Sequence, residues 1–275
     1  MLIMLTSYPL NAYCDALIPV VLEAGDAIMR HYQTDVDVKR KDDGSPTTLA
    51  DSEAEAIILK ALAALTPDIP VVAEESMAET IAPLIKNSTF WLVDPLDGTK
   101  EFLKKTDEFT VNIGLIVAGI PVLGIIFAPA LGDLYYGFGD TVTHVNKAGE
   151  THTHSANTAH PKPDALRVVA SKSHSDKEKL LKMLNGTEIE SFISAGSSLK
   201  FCLVAIGAAD LYPRTGPTME WDTAAGDAIV RAAGGRVCTY DGKPLTYNKP
   251  TFLNPAFVVT AGGVGERFSV FGVRF

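Results

Sequence analysis

Four acidic residues stand where carboxylates could gather around a cation. In Trp91-Leu92-Val93-Asp94-Pro95-Leu96-Asp97-Gly98-Thr99 an apolar run passes straight into Asp-Pro-Leu-Asp-Gly. Pro95 fixes its own φ and biases Asp94 toward extended backbone, so a turn here can hold Asp94 and Asp97 on one side with the Leu96 carbonyl between them. Two carboxylates and a carbonyl are hard oxygen ligands of the kind Mg²⁺ prefers. Gly98 and Thr99 follow at once. If a helical turn begins there, their backbone N–H groups face an anion held by the cation, and a phosphate fits that place. The competing reading of the string is an ordinary strand-to-helix turn in which Asp caps and Pro-Gly bends.

Glu74-Glu75-Ser76 closes another apolar run, Ile69 to Ala73, and Asp222 lies between Trp221 and the helical pattern Thr223-Ala224-Ala225. Alone, Glu74 reads as well as the solvated start of a loop, and Asp222 as a helix N-cap. Gathered at one place, these carboxylates would raise one another's pKa and oppose folding, a conflict that a divalent cation removes. Two cations suit a second anionic group. Gly196-Ser197-Ser198-Leu199-Lys200 opens a helix with hydroxyls and a Lys, and Leu211-Tyr212-Pro213-Arg214 puts an Arg at a strand end. A solvated helix face for Lys200 and a surface salt bridge for Arg214 are the competing readings.

Hydrophobic spacing predicts the elements that carry these residues. Leu10, Cys14, Leu17, Val21, Ala24 and Ile28 form one helical stripe ending near Tyr32, and Asp35 to Lys39 alternates like a short strand. Thr47 or Thr48 can cap a second helix, with the stripe Ala54, Ile57, Ile58, Ala61, Leu62 and Leu65 stopping before Pro67 and Asp51 in the first turn. Ile69 to Ala73 and Thr89 to Val93 read as strands whose acidic ends can share one rim, and Phe109 to Phe138 reads as an antiparallel meander. The polar stretch Lys147 to Pro163 divides the chain into a half over 1–150, carrying most of the acidic residues, and a half over 151–275, carrying Asp222 and the cations. Beyond it, strands at Arg167–Ala170, Glu188–Ile193, Asp210–Tyr212, Arg236–Tyr240 and Phe257–Ala261 alternate with helices at Asp176–Leu184, Ser197–Ile206 and Trp221–Ala233. That pattern is a layered α/β architecture.

Composition narrows the function classes. The 275 residues are 47% hydrophobic, ample for a packed core, and the net charge of −9 is spread in small groups, which argues against a nucleic-acid partner. An anionic ligand must therefore be drawn in locally. Cys14, Cys202 and Cys238 form no CxxC pair, so neither a disulfide framework nor a thiolate zinc site is expected, and a reducing cytoplasm fits. The opening Met1 to Leu5 lacks the basic flank of a signal peptide, and no apolar run approaches the roughly 20 residues of a membrane span. His152 and His154, in the polar stretch, read as exposed residues rather than metal ligands.

The strings Lys41-Asp42-Asp43-Gly44-Ser45-Pro46-Thr47-Thr48-Leu49-Ala50-Asp51, Glu74-Glu75-Ser76, Asp94-Pro95-Leu96-Asp97-Gly98-Thr99 and Trp221-Asp222-Thr223-Ala224-Ala225-Gly226 resemble, in order, the motifs of the inositol monophosphatase superfamily. Ala73, where the family often has Gly or Ser, is a small departure. The resemblance implies an α-β-α-β-α sandwich and lithium-sensitive, Mg²⁺-dependent hydrolysis of phosphate monoesters with roughly two or three ions. It implies Glu74, Asp94 and the Leu96 carbonyl on one metal, Asp94, Asp97 and Asp222 on a second, Asp51 and Thr99 orienting the attacking water, and Gly98 and Thr99 holding phosphate. Gly98-Thr99-Lys100-Glu101-Phe102 and the stretch from Gly196 to Ala228 are similar to the bacterial adenosine-3',5'-bisphosphate nucleotidases of sulfate assimilation. That branch implies removal of the 3'-phosphate to leave AMP, with Ser197, Ser198, Lys200, Arg214 and Asp222 as substrate contacts. An inositol monophosphatase or another sugar-phosphate phosphatase is the alternative reading, and a non-catalytic nucleotide sensor a third. Peripheral membrane association, and the choice between monomer and homodimer, stay open in the sequence.

Overall fold

A computed structural model describes residues 8–34, 39–40, 46–76, 89–155, 165–171, 184, 188–264, 269–270 and 273–274. Two helices, α1 (Leu10–Tyr32) and α2 (Leu49–Leu65), bury the stripes read from the sequence, with Leu17, Val21, Ala24, Ile28, Ala54, Ile58 and Leu62 sealed from solvent. They cover one face of a seven-stranded sheet whose order is β3 (Val71–Ala73), β4 (Thr89–Asp97), β5 (Thr110–Val117), β6 (Ile120–Ala128), β7 (Asp133–Phe138), β8 (Thr141–Val145) and β9 (Thr151–Ser155). Only β3 and β4 run parallel, which brings their acidic C-terminal ends to the same rim. The remaining neighbours form the expected antiparallel meander.

On the other face lie α4 (Leu199–Ala205) and α5 (Glu220–Ala232), and beyond them a five-stranded sheet. Its order is β11 (Ile189–Ser194), β10 (Leu166–Ala170), β12 (Leu211–Arg214), β16 (Phe257–Thr260), β14 (Arg236–Thr239). The described layers therefore run α-β-α-β, the order of the expected sandwich. The helix predicted over Asp176–Leu184 lies outside the described residues except for the buried Leu184. So does most of the strand predicted at Asp35–Lys39, of which only Lys39 is described, in β1 (Lys39–Arg40), which pairs with β2 (Pro46–Thr47); β13 (Thr218–Met219) and β15 (Leu253–Asn254) form a second such pair.

A row of glycines lets α5 approach the first sheet. Gly114, Gly124 and Gly137 are cross-strand neighbours on β5, β6 and β7. A Cβ at Gly124 would meet the Ala225 carbonyl oxygen at 2.1 Å, and one at Gly114 the Ala224 Cβ at 2.8 Å. Helix backbone thus lies directly on strand backbone, and the N-terminus of α5 is pinned close to the rim where β4 ends. Part of the polar stretch is strand, and residues 156–163 lie outside the described residues. Thr151–Ser155 is the edge strand β9, paired with β8, so His152 sits in the sheet beside His144, with ring centroids 6.1 Å apart.

Candidate active site

The acidic rim is assembled by two strands and two helix termini. Strand β4 continues through Asp94 to Asp97, and its pairing with β5 slips there. Asp94 faces Asn112 and Asp97 faces Thr110, with Pro95 and Leu96 bulged between. The Asp94 carboxylate accepts the Leu96 N–H at 3.0 Å, which holds the bulge. The Glu74 N–H donates to the Val93 carbonyl, setting Glu74 beside Asp94. Gly98, with φ of +91°, turns the chain into the short helix α3 (Thr99–Leu103). A Cβ at Gly98 would lie 3.3 Å from Ser197, so the two halves of the molecule close against each other at this turn.

Asp51 and Asp222 are held by the same device. Each is the third residue of its helix and folds back on the cap. Asp51 Oδ2 accepts from the Thr48 N–H at 2.8 Å and the Thr48 hydroxyl at 2.7 Å, and Asp222 Oδ2 accepts the Met219 N–H at 2.8 Å. Asp222 is therefore not the N-cap itself. One carboxylate oxygen does the capping and leaves the other for a second task. Asp51 Oδ1 lies 3.5 Å from the Thr99 hydroxyl, which is also 3.4 Å from the Leu96 carbonyl.

Glu74, Asp94, Leu96, Asp97, Gly98, Thr99, Ser197, Lys200, Arg214 and Asp222 line one cavity of ≈ 550 Å³. Two sequence-predicted residues do not. Asp51 stands behind Thr99, and Ser198 turns its hydroxyl inward to Asn112 Oδ1 at 2.7 Å. The Ser198 contribution to the site is its backbone N–H, which donates to the Asp97 carboxylate. Reading the sequence missed Ser171, Tyr212, Met219 and Leu253 on the cavity wall. Tyr212 shares a strand end with Arg214, a usable signal, whereas nothing in the sequence marks Leu253.

The electrostatics call for a cation. Burial and the charges of Glu74, Asp97 and Asp222 hold the Asp94 carboxyl well above its ordinary range, and it shares a hydrogen bond with Glu74. Asp222 is raised strongly by burial and by Asp97 and Glu74. Asp97 is pushed up to about 6 by burial, against the pull of Lys200, and Asp51 to about 6 by burial against its bonds to Thr48. Among the described residues no three His, Cys, Asp or Glu side chains already close on a common point. The donors are all oxygen and acidic, a set that fits a hard divalent ion. The same cavity also carries two cations. Lys200, 3% exposed, donates to the carbonyls of Ala195 and Ser197, and burial pushes it down to about 8. Arg214 Nε is buried without a partner among the described residues.

The chain matches the inositol monophosphatase family over residues 11–265. It is 48% identical over 242 residues to the 3'(2'),5'-bisphosphate nucleotidase CysQ of Salmonella typhimurium, covering 86% of this chain and 95% of that one. With the enzyme of the same description from Escherichia coli K12 it shares 44% over 251 residues, covering 90% and 98%. The crystal structure of CysQ from Bacteroides thetaiotaomicron superimposes with a TM-score of 0.72 at 38% identity, covering 91% and 97%.

Proposed function

Because the chain belongs to the inositol monophosphatase family, whose enzymes are metal-dependent phosphatases, we propose that it is a 3'(2'),5'-bisphosphate nucleotidase that converts adenosine 3',5'-bisphosphate to AMP and phosphate. The observation that carries the reading is the mixed charge of one cavity wall: Glu74, Asp94, Asp97 and Asp222 share it with Lys200 and Arg214. A substrate with one phosphate to cleave and a second to anchor uses both kinds of charge. The proposed division of labour gives residues 1–150 most of the metal ligands, and residues 151–275 Asp222 and the anchoring cations.

Mg²⁺ is the proposed metal, roughly two or three ions, held by Glu74, Asp94, the Leu96 carbonyl, Asp97 and Asp222. Bound there, it lowers the pKa of water and stabilises the leaving alkoxide. The chain's own residues do the rest. Asp51 Oδ2 is spent on Thr48, so Oδ1 is the atom left to take the Thr99 hydroxyl proton. Thr99 can then accept a hydrogen bond from the attacking water and orient it. With a pKa near 6, Asp51 is matched to accept that proton near neutral pH. The Gly98 and Thr99 N–H groups hold the scissile phosphate, and Ser197, Lys200 and Arg214 hold the second one.

Among the described residues no helix is long and apolar enough to cross a membrane. A small-molecule nucleotide substrate in the cytoplasm is the setting this reading fits. The test is phosphate release with Mg²⁺ from adenosine 3',5'-bisphosphate and from inositol 1-phosphate, repeated with Li⁺. Preferred release from the nucleotide, inhibited by Li⁺, is expected. Faster release from inositol phosphate, or nucleotide binding with no turnover, overturns the assignment.

A further inference from the structure

A chain of hydrogen bonds runs from the cavity into the core through Ser197, Thr110, Ser198 and Asn112. Ser197 lines the cavity from a backbone with φ of +42°, an unusual conformation for a residue with a side chain. Its hydroxyl is 3.1 Å from that of Thr110, which is 2.7 Å from that of Ser198, which is 2.7 Å from Asn112 Oδ1. Thr110, Ser198 and Asn112 are 0%, 2% and 1% exposed. Each hydroxyl has one proton to give, so the direction of the whole chain is set at its closed end, by the amide.

With Oδ1 toward Ser198, the amide carbonyl only accepts. Ser198 then donates to Asn112, Thr110 to Ser198, and Ser197 to Thr110. Ser197 turns its proton inward and shows lone pairs to the cavity, the wrong polarity for an anion. This orientation also leaves Asn112 Nδ2 buried with no partner among the described residues. Rotating the amide puts Nδ2–H onto Ser198 and reverses every link, so that Thr110 donates to Ser197 and the Ser197 proton points into the cavity.

We infer that Asn112, acting through Ser198 and Thr110, sets the hydrogen-bond polarity of Ser197 so that Ser197 donates to the second phosphate of the substrate. The inference rests on the nucleotidase reading above. Each orientation leaves one buried amide atom unpaired, and only the one with Nδ2 toward Ser198 gives Ser197 a proton to offer an anion beside Lys200 and Arg214. Asn112, Thr110 and Ser198 are positioning residues in this scheme. Their place in the fold suits it: Asn112 and Thr110 are the cross-strand partners of Asp94 and Asp97, and Ser198 comes from the other half of the molecule.

The test reads the KM for adenosine 3',5'-bisphosphate divided by that for adenosine 3'-monophosphate, which lacks the second phosphate. Thr110→Val cuts the chain beside Ser197 and raises the ratio about three- to tenfold, while kcat holds. Thr110→Ser restores it. Asn112→Asp, assayed at a pH where the new carboxylate is ionised and only accepts, locks the chain inward and raises the ratio further. Adding Thr110→Val to Asn112→Asp disconnects Ser197 from the lock and lowers the ratio again, so one substitution harms the parent and helps the variant. A purely structural tie between the halves produces no such reversal. A ratio unmoved by Thr110→Val, or a double variant no better than Asn112→Asp, overturns the inference. If Asn112→Asp does not fold, the Thr110 pair decides alone. Absence of bisphosphate turnover in the parent enzyme is a separate result and sinks the nucleotidase reading itself.

Discussion

The helix Glu220–Ala232 carries three acidic side chains with two different fates. On its core-facing side, Asp227 and Glu220 are fully buried, and each has its own cation. Arg231 donates to Asp227 at 2.6 Å, with the Tyr247 hydroxyl at 3.0 Å, and Lys249 reaches Glu220 at 2.6 Å. At its N-terminus Asp222 faces the cavity, where Asp97 and Glu74 raise it and Arg214 pulls more weakly the other way. A buried carboxylate that serves the architecture brings a cation from the same chain. One that faces the cavity lies among like charges, and the pull of Lys200 on Asp97 and of Arg214 on Asp222 leaves both still raised.

The comparison breaks most sharply at Asp97. Asp97→Asn should cut phosphate release at saturating Mg²⁺ by ~10²-fold or more. The same variant, stripped of metal, should unfold at no lower temperature than the parent, because it removes a buried charge whose desolvation outweighs the pull of Lys200. A lower melting temperature would make Asp97 an architectural carboxylate after all.

Arg231→Ala should do the reverse. It strands the buried Asp227 and should cost about 3 kcal/mol in urea unfolding, the low end for a broken buried pair because Arg231 keeps an edge in water. Adding Asp227→Asn should recover most of the loss, and turnover per folded molecule should hold. A drop in turnover without a drop in stability would contradict the contrast.

The pH dependence sharpens it further. In the metal-free protein Asp51 and Asp97 have folded values of about 6 against an ordinary 3.8, so between those pH values the folded state holds more protons than the unfolded chain. Stability of chelated protein should therefore fall as pH rises through that window, with Asp94 and Asp222 extending the fall upward, and Mg²⁺ should restore it above pH 6. Calorimetry with and without chelator checks the sign, and a melting temperature that climbs through the window in chelated protein contradicts it. The smallest effect belongs to the exposed carboxylate Glu53, paired with Arg30 and His31. Glu53→Gln should change unfolding free energy by less than ~1 kcal/mol and leave turnover alone.

Much of the site was legible because metal chemistry restricts residue type. Asp94, Asp97 and Glu74 follow apolar runs that had to be strands, and the parallel pairing of β3 and β4 brings their ends together. Asp222 was ambiguous as a cap, and it does cap, with one oxygen. Ser198 was misplaced because a hydroxyl carries no pattern that says which way it points, and only the packing of 196–200 against β5 turns it inward. Asn112 and Thr110 lie in a strand buried on both faces, where alternation gives no clue to polar partners.

The amino-acid sequence by itself determined residue types and their order: acidic side chains at the ends of apolar runs, the Asp-Pro-Leu-Asp string, the capping residues, and a Lys and an Arg beyond the polar stretch. Those are local matters, settled by φ restriction, hydrophobic period and side-chain type. Tertiary structure decided which of these residues meet. The glycines at 114, 124 and 137 mean little along the chain, but placed side by side they let α5 rest on the sheet and carry Asp222 to the rim of β4. Contact across the two halves depends on backbone approach distances, and those exist only once the layers are packed.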